Sequence, residues 1–313
     1  MRFTRRQLLA CAAVAASVPA SAQQQPPPPP HSANGPKVRT SPAVCVYSQI
    51  FRKVAYDELG MMLRDTGVDG INLTVFPGGH VNPANAGLEM FRSVEAITGA
   101  GLDVPIISTA YVNLIDLTIR EVLGVCSEMG VPLFRSGEWR YPNAGDPQLR
   151  LGEVQRDVAG LASIARAAKM TAVIQNLTGD HVGAAIWDMN LILRGLDPQS
   201  AGWDFDIGNA TAEGAAGSWA TALRLATPRL KAVSVRDFYW LKDGSAWKLT
   251  PCSLGDGMVN WPAFFSALAA ARFAGPLTIH MDYQPQSLTA ALHHDLDFVR
   301  KGLGAAYGLA AAK

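Results

Sequence analysis

A strict alternation of short apolar runs and longer amphipathic segments is the feature that most constrains how this chain folds. The apolar runs lie at residues 44–47, 70–75, 104–108, 133–135, 171–175, 201–206, 232–236 and 277–280. Segments with helical periodicity follow them, at residues 54–66, 83–100, 114–129, 149–168, 185–195, 218–226, 261–271 and 287–301. Nearly all-apolar strands joined by helix-length connections are typical of a parallel sheet covered on both faces. Eight such repeats predict a single (β/α)8 barrel of the α/β class, which typically needs about 250 residues.

A doubly wound open sheet is the alternative architecture for the same alternation. That fold usually carries a glycine-rich phosphate turn after its first strand, and the sequence has none there. The barrel is therefore the favoured fold, and we expect no nucleotide cofactor.

The N-terminus predicts export. Residues 1–22 begin with three arginines, continue with an apolar run at 8–18 and end in an Ala-x-Ala pattern, the order of a cleavable signal peptide. The apolar run is shorter than the roughly 20 residues that span a bilayer, so no stable membrane anchor is expected after cleavage. The pair Arg5-Arg6 resembles a twin-arginine signal, with an ordinary secretory signal as the alternative. The expected location is the periplasm or the medium.

Composition separates the rest of the chain into a linker, a barrel and a tail. Residues 23–40 are mostly low-complexity and rich in proline, which predicts a disordered linker. The expected barrel covers residues 41–305 and the expected tail 306–313. The sequence leaves the oligomeric state open and is compatible with a homo-oligomer.

Charge and cysteine content exclude other classes. Cleavage after Ala22 would remove three arginines, leaving 24 basic and 26 acidic residues and a net charge of −2. Without a basic stripe, a nucleic-acid partner is not expected. Cys45, Cys126 and Cys252 are widely spaced and predict neither a disulfide framework nor a thiolate zinc site.

Polar side chains follow six of the eight predicted strands, where the loops of such a barrel carry its functional groups. They are His80 after the second strand, Arg135 and Tyr141 after the fourth, Gln175 and Asn176 after the fifth, Asp206 and Asn209 after the sixth, Arg236 and Asp237 after the seventh, and His280 and Asp282 after the eighth. So many polar groups on one face indicate a functional site. Structural roles are the alternative: a helix cap for Asp206, a loop position for His80, a salt bridge between Arg236 and Asp237, and a buried imidazole for His280.

Six segments together resemble the sugar phosphate isomerase/epimerase family. They are VFPGGHVNP (75–83), IQNLTG (174–179), DFDIGNA (204–210), VSVRDFYW (233–240), CSLGDGMVNW (252–261) and LTIHMDY (277–283). The resemblance covers roughly residues 44–302 and implies a xylose-isomerase-like TIM barrel, with the exported, twin-arginine-signal members as the nearest subgroup. It does not identify the substrate, because this superfamily hosts isomerases, epimerases, dehydratases and lyases.

The resemblance implies one divalent ion, Mn²⁺, Mg²⁺ or Zn²⁺, held in the family by Glu, Asp, His and Glu on strands five to eight. Such an ion polarises a carbonyl, and the glutamates can move a proton. This chain has Gln175, Asp206, Ser234 and His280 at those positions, so only the aspartate is retained. A metal would therefore rest on Asp206, Gln175 and His280. Asp282 points the same way as His280 on an extended strand and could complete a reshaped site.

We therefore expect an exported enzyme that acts on a non-phosphorylated sugar or sugar derivative by proton transfer next to a carbonyl. The outcome would be epimerisation, isomerisation or elimination. The candidate proton carriers are His280, His80 and Asp282, and the candidate substrate-binding residues are Arg135, Tyr141, Asn176, Asn209, Arg236 and Asp237. A catalytically silent carbohydrate-binding barrel that has lost the family metal site is the alternative. A small-molecule carbohydrate is the expected partner in both cases.

Overall fold

The computed structural model describes residues 39–214 and 217–309. The expected signal peptide, residues 23–38 of the expected linker and residues 310–313 of the expected tail lie outside the described residues. Within the described ranges, no helix combines the length and the apolar character needed to cross a membrane.

Eight parallel strands close into a barrel. They are β1 (Ala43–Tyr47), β2 (Gly70–Val75), β3 (Asp103–Thr109), β4 (Leu133–Arg135), β5 (Thr171–Gln175), β6 (Ala201–Asp206), β7 (Leu230–Val235) and β10 (Pro276–Ile279). Around the ring their order is β1, β10, β7, β6, β5, β4, β3, β2, and β1 pairs with both β10 and β2 to close it. The predicted (β/α)8 fold is confirmed.

Helices connect the strands. They are α1 (Tyr56–Thr66), α2 (Ala86–Gly99), α3 (Thr118–Glu128), α4 (Pro147–Ala167), α5 (Trp187–Leu193), α6 (Ile207–Glu213), α7 (Trp219–Ala226), α8 (Trp261–Ala270) and α9 (Leu288–Tyr307). Each predicted helical segment overlaps one of them, and α6 is additional. It begins because the Asp206 side chain accepts a hydrogen bond from the Asn209 backbone at 2.9 Å and caps its first turn. α9 extends two residues into the expected tail, which begins at 306.

An antiparallel hairpin follows β7, and the alternation did not predict it. β8 (Asp237–Asp243) pairs along its whole length with β9 (Ala246–Cys252), and Gly244 turns the chain with a φ of 61°. Four large hairpin side chains are exposed: Tyr239, Trp240, Leu241 and Trp247. Because an exposed ribbon lacks a one-sided apolar pattern, periodicity could not reveal it.

The barrel interior changes from apolar to polar along the strands. Ile106, Leu133, Val173 and Ala232 form a small apolar cluster apart from the main core. Two positions further along the same strands, and so on the same face of the sheet, the buried residues are Ser108, Arg135, Gln175 and Ser234. The buried polar residues therefore lie at the C-terminal ends of the strands, where barrel proteins have their active sites.

Asp237 organises the loop between the hairpin and α8. Its buried carboxylate accepts hydrogen bonds from five donors: the backbone nitrogens of Phe238, Gly255, Gly257 and Val259, and Nε1 of Trp261 at 2.7 Å. A Cβ at Gly257 would lie 2.1 Å from its Oδ1, so the loop needs a glycine there. The expected substrate-binding role of Asp237 finds no support, because these five contacts turn its carboxylate toward the loop.

We predict that Asp237→Ala lowers the free energy of unfolding by roughly 2–4 kcal/mol, because several buried donors lose their acceptor together. Chemical denaturation of both proteins measures the difference. Asp243→Ala, at the exposed tip of the same hairpin, is the matched control and should change stability by less than about 0.5 kcal/mol. Equal effects of the two substitutions would contradict the role assigned to Asp237.

Candidate functional site

A cavity of about 300 Å³ opens at the C-terminal ends of the barrel strands. Six residues expected in the site line it: Arg135, Gln175, Asn209, Arg236, His280 and Asp282. Asp206 is completely buried beside them. The structure therefore brings together polar side chains from β4, β5, β6, β7 and β10, as the strand-end pattern indicated.

The Arg236 guanidinium joins three of these side chains. Its Nε donates to Asp206 Oδ2 at 2.7 Å, and its Nη2 donates to His280 Nδ1 at 3.1 Å. Its Nη1 donates to Asp282 Oδ2. A Cβ at Gly208 would lie 2.4 Å from Arg236 Cγ, so the glycine after β6 gives the arginine stem its room. Arg236 is the centre of the polar network.

Arg236 also fixes the protonation of His280. A guanidinium can only donate, so Nδ1 of His280 accepts and Nε2 carries the proton. Nε2 then donates to Ser234 Oγ at 3.2 Å, and Ser234 Oγ donates to the Asp204 carboxylate at 3.0 Å. Burial, reinforced by Arg236 and Arg135, lowers the pKa of His280 well below its usual value. His280 is therefore a neutral imidazole with both ring nitrogens engaged.

Two buried carboxylates lie on β6 beneath the cavity. Burial raises the pKa of Asp206, and the charge of Arg236 opposes that rise. Asp206 Oδ1 accepts from the Asn209 backbone at 2.9 Å, so the residue caps α6 and binds Arg236 at once. Burial raises the pKa of Asp204 to about 6, against the lowering effect of Arg135. Asp206 therefore caps α6, as its structural interpretation predicted, and it also belongs to the polar network beside the cavity.

A second arginine, Arg135, binds the side chains of Gln175 and Tyr47 on the other side of the cavity. Arg135 Nη1 donates to Gln175 Oε1 at 2.6 Å, and its Nη2 donates to the Tyr47 hydroxyl at 3.1 Å. Gln175 Nε2 reaches Asp206 Oδ2 at 3.3 Å. The Tyr47 ring stacks on His280 with 4.3 Å between ring centroids. Arg135 and Arg236 thus belong to one continuous polar network.

Two residues expected in the site, His80 and Tyr141, contact neighbouring loop segments instead. His80 Nε2 donates to the Val54 carbonyl at 2.9 Å, its ring stacks on Tyr56, and the residue does not line the cavity. The Tyr141 hydroxyl donates to Asp188 Oδ2 at 2.8 Å. These contacts tie loop segments together and direct both side chains away from the cavity.

Asn176 holds the ends of β5 and β6 together. Its Nδ2 donates to the Asp206 carbonyl at 2.9 Å, and its Oδ1 accepts from the Asp206 backbone nitrogen at 2.8 Å. Nδ2 of Asn209 donates to the Asn176 carbonyl at 2.9 Å. Asn176 therefore positions Asp206, while Asn209 reaches the cavity wall.

Five further lining residues were absent from the expected site: Tyr47, Glu138, Leu177, Thr178 and His181. Tyr47 ends β1, so the strand-end rule applied to the first strand would have found it. His181 lies six residues beyond β5, and its approach to Glu138, at 3.5 Å between Nε2 and Oε2, joins two separate loops. No sequence spacing indicates such a contact.

The side chains present do not fit a divalent metal ion. Metal ligands need unshared lone pairs, yet Asp206 Oδ2 and His280 Nδ1 accept from Arg236, and Gln175 Oε1 accepts from Arg135. A guanidinium is a permanent cation and would repel a second one. In residues 39–214 and 217–309, no three His, Cys, Asp or Glu side chains are grouped so that they could hold a metal. The implied ion finds no set of free ligands here.

A closed barrel with a polar cavity at its C-terminal end defines a TIM-barrel protein with a small-molecule site. The sequence model of the xylose isomerase-like TIM barrel family matches residues 61–302. The chain therefore belongs to that family. No curated protein matches the sequence.

Solved structures share the fold at low identity. One is the apo 3-keto-D-glucoside 4-epimerase of E. coli, with TM-score 0.67 and 16% identity over 83% of this chain and 100% of that chain. Another is a xylose isomerase-like TIM barrel protein of Mycobacterium smegmatis in complex with magnesium, with TM-score 0.67 and 14% identity over 86% and 98%. A third is a probable 3-DHS dehydratase of Bacillus anthracis, with TM-score 0.65 and 12% identity over 82% and 98%. At such identities the likeness shows a common fold alone.

We predict that the wild-type protein binds neither Mn²⁺ nor Zn²⁺ with a dissociation constant below ~100 µM, the range of low-affinity ion sites. Arg236→Met, which frees Asp206, Asp282 and His280 from the guanidinium, should also bind neither ion, because among the described residues no three such side chains are grouped to hold a metal. Isothermal titration calorimetry measures both, after circular dichroism has shown that the variant is folded. Wild-type binding that disappears in Asp206→Asn would contradict the prediction.

Proposed function

We propose that this protein is an enzyme that acts on a non-phosphorylated sugar or sugar derivative by proton transfer next to a carbonyl, by epimerisation, isomerisation or elimination. The observation that carries the proposal is the pair of guanidiniums, Arg135 and Arg236, in the network at the cavity. Each can donate hydrogen bonds to the oxygen of a carbonyl or of the enolate derived from it.

Arg236 has donors left for a substrate. A guanidinium carries five N–H groups, two of them on each terminal nitrogen. Its Nε–H binds Asp206, and single contacts from Nη1 and Nη2 reach Asp282 and His280. One N–H on each terminal nitrogen is left over, and Arg236 lines the cavity. This geometry supports recognition of a substrate oxygen by a cation that is already held in place.

The charge balance favours a neutral ligand. Arg135 and Arg236 are matched by the carboxylates of Asp206 and Asp282, and Glu138 adds one further negative charge to the lining. A phosphate group needs uncompensated positive charge, and no lysine lines the cavity. The amides of Gln175 and Asn209 and the neighbouring hydroxyls are instead suited to a molecule rich in hydroxyl groups.

The similar structures agree with this class of reaction. One is called a 3-keto-D-glucoside 4-epimerase and another a probable dehydratase. Both transformations proceed by moving a proton near a carbonyl group. They support the reaction class here and leave the particular sugar and the outcome to experiment.

A catalytically silent carbohydrate-binding barrel is the second candidate. The observation that favours it is the engagement of Gln175 and His280, which stand where the family has glutamates. Gln175 has no basic atom, and the Nδ1 lone pair of His280 accepts from Arg236. A silent barrel would bind sugars without exchanging their protons.

We predict that the wild-type protein, in D₂O, incorporates deuterium at the carbon next to the carbonyl of a 3-keto glucoside or a related neutral ketose. Proton NMR follows the loss of the C–H signal and the growth of the product. Phosphorylated analogues should exchange more slowly, because the cavity lacks an uncompensated cation. Calorimetric binding without exchange would favour the silent barrel and contradict the enzyme.

We further propose that the protein is exported after removal of residues 1–22 and acts in the periplasm or the medium. The arginine-rich start, short apolar run and Ala-x-Ala pattern support the proposal.

We predict that N-terminal sequencing of the protein from its native host gives Gln23 as the first residue. Substituting the Arg5-Arg6 pair with lysines should block export if the route is twin-arginine and leave it unchanged if the signal is an ordinary secretory one.

A further inference from the structure

Within the proposed function, we infer that Glu138 and His181 form the acid–base pair that moves the substrate proton. The inference rests on that function, and it addresses the absence of a free base at the positions where the family has glutamates. The positions that the family gives to glutamate are Gln175 and His280, and neither offers a free basic atom. Glu138 and His181 are the lining carboxylate and imidazole that Arg236 does not engage.

The local geometry aims both side chains at each other and at the cavity. Nδ1 of His181 lies 2.9 Å from the Thr178 carbonyl, and a carbonyl can only accept, so Nδ1 carries a proton. Nε2 therefore faces outward and lies 3.5 Å from Glu138 Oε2. The two groups are within ion-pair distance, and a contact of this length can shorten to a hydrogen bond when a substrate binds. The side chain of His181 is 17% exposed and that of Glu138 is 52% exposed, so a ligand can reach the pair.

Backbone contacts hold the two loops that carry the pair. Val182 nitrogen donates to the Trp139 carbonyl, and Tyr141 nitrogen donates to the Asp180 carbonyl, each at 2.9 Å. Arg140 and His181 form an antiparallel bridge between them. The main chain on both sides of His181, and just after Glu138, is therefore fixed. A chance surface ion pair would not need this support.

The cation next to the pair binds a different carboxylate. The exposed Arg140 guanidinium binds Asp180, and Asp180 Oδ1 lies 3.7 Å from Nδ1 of His181. No second carboxylate competes with Glu138 for Nε2 among the described contacts. Glu138 is thus the acidic partner on the face of the imidazole turned to the cavity.

The pair and Arg236 lie in loops that follow different strands of the ring. Glu138 and His181 follow β4 and β5, whereas Arg236 and Asp282 follow β7 and β10, and β6 separates β5 from β7. A sugar between them would place its carbonyl oxygen on Arg236 and an adjacent C–H toward the pair. This arrangement separates the group that binds the oxygen from the groups that move the proton.

The proton step is balanced without a co-reactant. The pair accepts the proton from the carbon next to the carbonyl, and the C–H electrons form the C=C bond of an enolate. The enolate oxygen takes the negative charge and receives hydrogen bonds from Arg236 or Arg135. Return of a proton from the pair to the same carbon restores the carbonyl and the starting state of the pair. Because the Glu138 side chain is 52% exposed, the pair can exchange its proton with water between the two steps.

The test is deuterium exchange by the wild type, Glu138→Gln, His181→Gln and the double variant. We expect each single variant to lose about 10²–10⁴-fold in exchange rate, the usual contribution of a general acid or base. The double variant should lose little more, because the two residues act as a unit. Sugar affinity by calorimetry should stay near the wild-type value. Glu153→Gln, an exposed glutamate on α4 that binds only Arg150, is the matched control and should keep full exchange.

The outcomes separate the two proposals. Exchange at the wild-type rate in Glu138→Gln and His181→Gln overturns the acid–base pair while the proposed function stands. A wild-type protein that binds sugars but exchanges no proton overturns the proposed function and the pair with it. Because Glu138 is half-exposed, its glutamine variant should fold even if His181→Gln does not, and it alone then decides.

Discussion

The ion-pair network of Arg236 is the interaction on which the rest of the site depends. One guanidinium binds the buried carboxylate of Asp206, the imidazole of His280 and the carboxylate of Asp282. A buried carboxylate without such a partner would be strongly unfavourable. The network therefore keeps charged groups from three strands close together beneath an open cavity. It also decides which acceptor atoms remain available. Asp206 Oδ2 and His280 Nδ1 accept from the guanidinium, so they are not available as metal ligands or as bases.

In the proposed function, the two guanidiniums take the part that a metal ion plays in other barrels. A divalent ion polarises a carbonyl and stabilises an enolate, and fixed guanidiniums can offer the same stabilisation through hydrogen bonds. The replacement of both family glutamates by Gln175 and His280 agrees with this proposal, because a singly charged guanidinium needs fewer neighbouring carboxylates than a divalent ion. In the proposed function, with Gln175 neutral and His280 engaged, other groups must transfer the proton. We assign this role to Glu138 and His181, in the loops after β4 and β5.

Polar residues with similar sequence contexts have very different roles. Asp237 follows directly after Arg236, yet its carboxylate binds five donors of the next loop and faces away from the cavity. His80 also follows a strand, but its ring is held by Val54 and Tyr56. Adjacent strand-end residues alternate in direction, and the loop that follows supplies competing hydrogen-bond donors. A position at a strand end therefore does not by itself show that a residue belongs to the functional site.

The sequence by itself determined the barrel and most of the polar residues around its mouth. The alternation predicted all eight barrel strands, and the strand-end rule located Arg135, Gln175, Arg236, His280 and Asp282, because inward-facing positions at one end of a parallel barrel must meet. Only the tertiary structure decided which of these atoms are already paired, and that Glu138 meets His181. Those contacts join loops that are distant along the chain, and their geometry depends on side-chain direction and hydrogen-bond competition. Neither quantity leaves a periodic signal in a sequence.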